Sequence, residues 1–447
     1  MKAAAPVDRW TLVAYALPGF ILAVPTIPIY VYLPALYGDS FGLGLALTGT
    51  VLLAARLFDV VTDPLIGRIS DALNWRAGRR KPLILLGGCL AALALIRIVS
   101  PPQPVDWPYL LIWSGVLYLG WTLVAIPYAA WGAELRSAYR ERLRITSARE
   151  GAGLLGILFA SALPAVLITT GRTEQSALIV LAWVTVLVGI PVIALLTFRV
   201  PEPQASPKRS PTLLRAYLTS LPENGPFCRL IAAWAINGFA NGLPAALFLL
   251  YLEYALGVGE GLRPRFILAY FLAAVLAIPA WLALSRRLGK HRTWCVAMML
   301  AIVAFATVPL IPHGAFGAFF AVCVLTGAAL GADLALPPSI QADVVDYDAW
   351  KQGEARAGFL FALWSMATKF AQALAVGIGL PLVAALGFDP AQVTAPGQFA
   401  LTVIYAWFPI VFKVIAVALV WNFTAVALSP LDLMVQEPLT TPLPSPF

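Results

Sequence analysis

Apolar stretches of about 18 or more residues recur along the entire chain, and nothing else in the sequence limits its fold so severely. Each can cross a hydrocarbon core about 30 Å thick, whereas a soluble fold would have to hide all of them in one core. Charged residues make up only 12% of the chain, against about one quarter in an ordinary soluble protein. The spacing predicts an all-α membrane protein with twelve transmembrane helices. The spans are roughly residues 11–37, 44–68, 82–100, 109–133, 150–171, 176–198, 229–256, 265–285, 293–311, 315–338, 357–384 and 399–426.

The stretch from Arg199 to Cys228 is rich in Pro, Ser and basic residues and has the composition of a linker. It divides the chain into an N-terminal six-helix bundle (1–198), a central linker (199–228), a C-terminal six-helix bundle (229–428) and a Pro-rich tail (429–447). The net charge of +8 is not a sign of nucleic-acid binding, because in a membrane protein Lys and Arg mark the cytoplasmic side. Most of the 30 Lys and Arg residues fall in the N-terminus and the even-to-odd loops. Only Arg97, Arg172, Arg263 and Arg265 lie toward the opposite side. This bias puts both termini and the linker in the cytoplasm, with the chain in the inner membrane. Basic turns follow the second and eighth spans (Gly78-Arg79-Arg80-Lys81 and Gly289-Lys290-His291-Arg292), as parallel six-helix repeats would place them. Cys89, Cys228, Cys295 and Cys323 lie far apart in apolar surroundings and read as small hydrophobes; His291 and His313 are isolated. No cofactor is expected.

Burying a charge in lipid costs several kcal/mol, so each ionisable residue inside a span requires a reason. Arg56, Asp59 and Asp63 fall at i, i+3 and i+7 of the second span, on one helical face. Two carboxylates one turn apart cannot both stay ionised in a dry site without compensation. They share a proton, pair with a cationic residue, or hold a metal cation, and Thr62 and Thr122 are candidate hydroxyl ligands for a monovalent one. Arg56, Lys369 and Arg149 are the candidate countercharges. Lys369, in Trp364-Ser365-Met366-Ala367-Thr368-Lys369, lies about 20 Å deep, too far for easy snorkelling, so a carboxylate partner in the N-terminal half is expected. Lys413 has no evident local partner.

Two charged segments belong to the cytoplasmic side. Glu134, Arg142 and neighbouring arginines follow the fourth span; Asp343, Asp346 and Arg356 follow the tenth. With Asp71, Arg79 and Arg80 they are the candidates for ionic latches across the two halves.

In these residues the chain resembles the glycoside–pentoside–hexuronide:cation symporters of the major facilitator superfamily, the group of melibiose permease. Four segments carry the match: Ala55-Arg56-Leu57-Phe58-Asp59-Val60-Val61-Thr62-Asp63-Pro64 through Lys81-Pro82; Ile126-Pro127-Tyr128 with Glu134, Arg142 and Arg149; Asp343-Val344-Val345-Asp346-Tyr347 with Arg356; and Lys369. The resemblance implies that Asp59, Asp63 and Thr122 bind the coupling ion, Na⁺ or H⁺. It also implies that Arg56, Tyr128, Arg149, Trp364 and Lys369 lie near the substrate. Thr62 stands where the melibiose carrier has an amide ligand, and Ala23 and Ala125 stand where it has two acids that hold sugar hydroxyls. The expected function is therefore cation-coupled symport of a small organic solute by a monomer in the bilayer. The loss of the acids points away from a galactoside held in the same way. The alternatives are a carrier of lysolipids or other amphipathic anions on the same fold, a non-transporting assembly factor, and an Asp-rich intramembrane prenyltransferase.

Overall fold

The computed structural model describes residues 7–72, 78, 80–135, 139–202, 221–352 and 357–423. Among these, twelve helices are long and apolar enough to cross a membrane. They are α1 (Arg9–Ser40), α2 (Leu45–Gly67), α3 (Lys81–Val99), α4 (Trp107–Gly132), α5 (Arg144–Thr169), α6 (Glu174–Arg199), α7 (Gly225–Ala255), α8 (Arg263–Leu288), α9 (Lys290–Leu310), α10 (Phe316–Asp348), α11 (Phe359–Ala385) and α12 (Ala395–Trp421). An even number of crossings leaves both ends of the chain on one side, called here the terminal end; the other is the distal end.

The boundaries differ from expectation where a helix continues past the bilayer. The helix containing α10 runs on to Gln352, so Asp343, Asp346 and Asp348 ride on a helical extension rather than a loop. The helix containing α5 begins at Tyr139, so the arginine-rich segment is helical as well. Hydropathy marks where the lipid stops, but the i→i−4 hydrogen-bond ladder needs no lipid to continue. The linker falls mostly on residues 203–220, outside the described residues, and α7 begins at Gly225 rather than 229.

The two sets of six helices pack in the same order. In the first half α1 meets α5 and α6, α2 meets α4, and α3 meets α4 and α6. In the second, α7 meets α11 and α12, α8 meets α10, and α9 meets α10 and α12. The halves join along two lateral seams, α2 with α11 and α5 with α8, and also where the Pro28–Ala35 part of α1 packs on α7. Between lipid-like surfaces there is little hydrophobic drive, so helices adhere where small residues let backbones approach. On the first seam Gly49 lies against Leu380 and Pro381, and a Cβ on Gly377 would sit 2.6 Å from the Cβ of Leu53.

The distal ends of α1 and α7 depart from α-helical geometry in the same way, each closing with a five-residue π-turn, Leu36–Ser40 and Tyr251–Ala255. These turns present Asp39, Glu253 and Tyr254 where the halves meet.

Candidate functional site

The α2 helix has two characters. Leu57, Phe58, Val61 and Leu65 are exposed on one side, whereas Arg56 (7% exposed) and Asp59 (2%) are buried on the other. The i, i+3, i+7 spacing thus turns the charged residues inward, as the helical period requires.

Oxygens from two helices converge there. The Thr122 hydroxyl of α4 lies 2.8 Å from Asp59 Oδ1 and 2.8 Å from Asp63 Oδ1. A hydroxyl has one proton to donate and can satisfy one of these acceptors at a time. The acceptor that the hydroxyl does not serve needs another partner: a proton on a carboxyl, a cation, or a cationic side chain. Sequence separation alone, 59 to 122, gives no hint of this convergence.

The countercharges come from both halves. Lys369 Nζ on α11 stands 2.6 Å from Asp63 Oδ2, 2.8 Å from Asp63 Oδ1 and 3.0 Å from Asp59 Oδ2. Arg56 Nη1 is 3.4 Å from Asp59 Oδ2, and its guanidinium lies over Tyr118 at 4.0 Å and Tyr30 at 4.6 Å. Two acids and two bases sum to zero, the condition under which buried charges are tolerated. Lys369 and Asp63 keep 24% and 18% side-chain exposure, so one edge of the cluster is open while Asp59 is sealed. The Lys369 bridge crosses the α2–α11 seam and ties the halves together.

The other predicted positions are placed less uniformly. The Thr62 hydroxyl donates to the Asp59 carbonyl at 3.0 Å and so turns away from the carboxylates, a correction to its expected role as a ligand. Tyr128 is 2% exposed, and its hydroxyl is spent on the Tyr15 carbonyl at 2.5 Å while Tyr15 donates back at 3.2 Å. It fastens α1 to α4 and does not line a solute path. Arg149 pairs with Glu150 at 2.5 Å instead of with the Asp pair. Ala23 lies near Gly156 where α1 crosses α5, and both Ala23 and Ala125, on α4, are partly buried. Trp364 stacks on Trp234, 4.6 Å between ring centres and 13° from parallel.

At the terminal end, Arg80 is buried within the first half, its N–H donating to Glu202 at 2.6 Å and its guanidinium to the Pro127 carbonyl at 3.4 Å. Asp343 takes Lys290 at 2.6 Å, because the short α8–α9 turn lies beneath α10. Both placements differ from the expected cross-half latch; Asp346 is exposed. Arg79 and Arg356, and the side chains of Asp71, Glu134 and Arg142, lie outside the described residues.

Two clusters had no counterpart in the sequence reading. At the distal end, Arg263 of α8 bonds Glu174 of α6 at 3.3 Å and Glu253 of α7 at 3.1 Å, and Tyr254 donates to Asp39 at 2.7 Å. Glu174 and Asp39 belong to the first half, Arg263 and Tyr254 to the second, so these bonds hold the distal end shut. In the second half, Asp333 of α10 accepts from Asn237 at 3.1 Å, Asn241 at 2.8 Å and Trp294 at 2.5 Å. Lys413 donates to the side-chain oxygens of the same two asparagines at 2.9 and 2.6 Å. The i, i+4 spacing of Asn237 and Asn241, and a lone acid in the apolar run of α10, were the available signals.

This arrangement can be set beside known proteins. The family model described as MFS/sugar transport protein matches residues 14–425. The isoprimeverose transporter of Lactiplantibacillus pentosus is 26% identical, covering 91% of this chain and 87% of its own. The human sodium-dependent lysophosphatidylcholine symporter 1 is 25% identical, over 85% of this chain and 77% of its own. A crystal structure of a D-xylose-proton symporter shares the fold, with a TM-score of 0.66 at 14% identity over 92% of this chain and 97% of that one. Fold and homologues alike are those of transporters and not of enzymes, which removes the prenyltransferase reading. The chain belongs to the MFS/sugar transport proteins, within the glycoside–pentoside–hexuronide symporters of the major facilitator superfamily.

Proposed function

We propose that this protein moves a small organic solute together with a monovalent cation, Na⁺ or H⁺, held by Asp59, Asp63 and Thr122. The observation that carries this reading is the three-oxygen cluster with one hydroxyl proton, occupied from the opposite half by Lys369. A hard monovalent cation is suited to oxygen ligands, and it would compete with the Lys369 ammonium for the same carboxylates. Cation entry adds one positive charge to a balanced cluster and favours release of Lys369. Release cuts a bridge between the halves, which is how ion binding would be linked to their rocking. The Arg263 bonds that join the distal end support a reading in which the solute path opens toward the terminal side, which the loop charges assign to the cytoplasm.

A second reading has its own support. A recess between α1, α3, α4 and α6 is lined almost wholly by apolar groups, among them Ile21, Leu85, Ala92, Trp121 and Ile190, and suits an alkyl chain. With the lysophosphatidylcholine symporter among the relatives, an amphipathic solute is the alternative. The deciding experiment is uptake into proteoliposomes of isoprimeverose and of lysophosphatidylcholine under imposed Na⁺ or pH gradients. Uptake that ignores both gradients and survives Asp59→Asn with Asp63→Asn removes the coupling reading.

A further inference from the structure

The polar network of the second half sits at mid-membrane depth. Lys413 is 2% exposed and Asp333 is 6%, with Asn237 at 0%. No direct ion pair joins Lys413 to Asp333 among the described residues; Asn237 and Asn241 stand between them, each taking a Lys413 N–H and giving an N–H to Asp333. Two charges and two amides in the core of an apolar bundle are expensive, and well-packed apolar residues would hold four helices together at least as well. A use beyond stapling is therefore to be sought.

The network borders a cavity. Asn241, Asp333 and Lys413 form its polar wall, and Phe248, Tyr270, Phe305 and Tyr405 form most of the rest, with Val31 of the first half reaching in. The bonding capacity left on that wall is specific. Lys413 has three N–H groups and spends two on the asparagines. Asp333 Oδ1 accepts two bonds, but Oδ2 accepts only the one from Asn241. On Lys413 and Asp333 one donor and one acceptor remain, the complement of a hydroxyl group, and the phenol groups of Tyr270 and Tyr405 line the same cavity. The wall is electrically balanced, so a ligand bringing net charge would be desolvated with nothing to neutralise it, and a carboxylate would also meet Asp333.

We infer that this cavity is a second solute subsite, taking the hydroxyl-bearing edge of a neutral sugar ring, with Asp333 and Lys413 bonding the hydroxyl and the aromatic side chains covering the ring's apolar face. It supplies from the second half the acid that Ala23 and Ala125 do not supply from the first. This rests on the reading of the chain as a cation-coupled carrier and narrows its solute to a neutral glycoside. A path to the cation cluster exists: Trp294, bonded to Asp333, leans on Trp234 at 6.4 Å, and Trp234 donates to Thr368 at 2.7 Å, next to Lys369.

The test uses purified full-length protein and thermal stability, since a ligand of the folded state raises it. The probes are isoprimeverose as the neutral glycoside, methyl β-D-glucuronide as its anionic counterpart, and NaCl or pH for the cation site. Wild type should be stabilised by isoprimeverose, with at least about tenfold weaker response to the glucuronide. Asp333→Asn with Lys413→Met removes both charges together and should weaken isoprimeverose binding at least about a hundredfold, from the loss of two charge-assisted hydrogen bonds. The cation response should persist. Tyr270→Ala, which leaves the charge network whole and removes an aromatic face, should weaken binding at least about fivefold and serves if the double variant does not fold. Unchanged isoprimeverose affinity in the variants, preference for the glucuronide, or a wild type that responds to cation but not to isoprimeverose each overturns the subsite. Isoprimeverose binding lost in the variants of a protein that ignores cations would instead keep the subsite and remove the coupling reading.

Discussion

Replacing Lys369 with Met should tighten cation binding while abolishing coupled transport. In the native cluster the lysine is a tethered competitor, 2.6 Å from Asp63 and 3.0 Å from Asp59. At an effective dielectric of about 20, each contact contributes on the order of 5 kcal/mol of attraction before desolvation is subtracted. Removing one partner of a buried pair leaves about 3–5 kcal/mol of uncompensated charge. The open edge at Lys369 and Asp63 argues for the lower figure, about 3 kcal/mol. A cation that fills the vacated position recovers much of this, so its apparent affinity should rise about a hundredfold, at 1.36 kcal/mol per decade. The assay is thermal stability of purified protein across a NaCl series and a pH series, with Asp59→Asn as the control that removes the site. The variant should respond at lower cation concentration than wild type, and in proteoliposomes it should not concentrate solute against a gradient. An unchanged or weaker cation response in Lys369→Met would refute the competition, because the lysine and the ion would then occupy different places.

Other changes follow from the same geometry. Thr122→Val keeps the shape and removes the hydroxyl shared by both carboxylates, and should weaken the cation response about tenfold in the same titration. Thr62→Ala should leave that response within about twofold, because its hydroxyl serves the Asp59 carbonyl; a large loss would restore it as a ligand. Arg263→Gln leaves Glu174 and Glu253 without their shared cation and should shift the population toward distal opening by about tenfold or more, read as alkylation of a single cysteine engineered near Gly257. Gly377→Leu forces a side chain onto Leu53 across the α2–α11 seam and should cost about 1–3 kcal/mol, visible as a lower melting temperature.

The twelve spans were legible because each is long enough to register by hydropathy alone, and the Asp59–Asp63 face was legible because helical spacing is a local property. Lys369 was legible from its depth, which demanded a partner. What stayed hidden were relations between elements. The resemblance sets Thr122 beside the Asp pair, but it is 59 residues from Asp63, and spacing alone does not show that the packing of α4 on α2 brings its hydroxyl into the cluster. Lys413 had no local partner because its partners, Asn237 and Asn241, arrive from α7. Arg263 and Glu174 read as ordinary loop-end charges until the halves were brought together. For Tyr128 and Arg80 motif membership suggested a solute or gate role; in the structure Tyr128 bonds the Tyr15 carbonyl, and Arg80 bonds Glu202 and the Pro127 carbonyl.

The two seams between the halves are made of different material. The α2–α11 seam carries the Lys369 bridge to both aspartates, while beside the α5–α8 seam the ion pair lies at the distal end, Arg263 of α8 with Glu174 of α6. Adhesion along the first involves charge at the cation cluster, and along the second packing and surrounding lipid, with Arg263 and Glu174 at its distal end. On the proposed coupling, a cation arriving at Asp63 would loosen one edge of the molecule and leave the other closed. Two bodies held along one edge and freed along the other turn as on a spine, so the neutralised edge fixes which way they swing. On that proposal the rotation axis of the transport cycle would be set by an asymmetry of charge laid over a symmetric frame, and exchanging the two seams' residues would be expected to move the spine to the opposite edge.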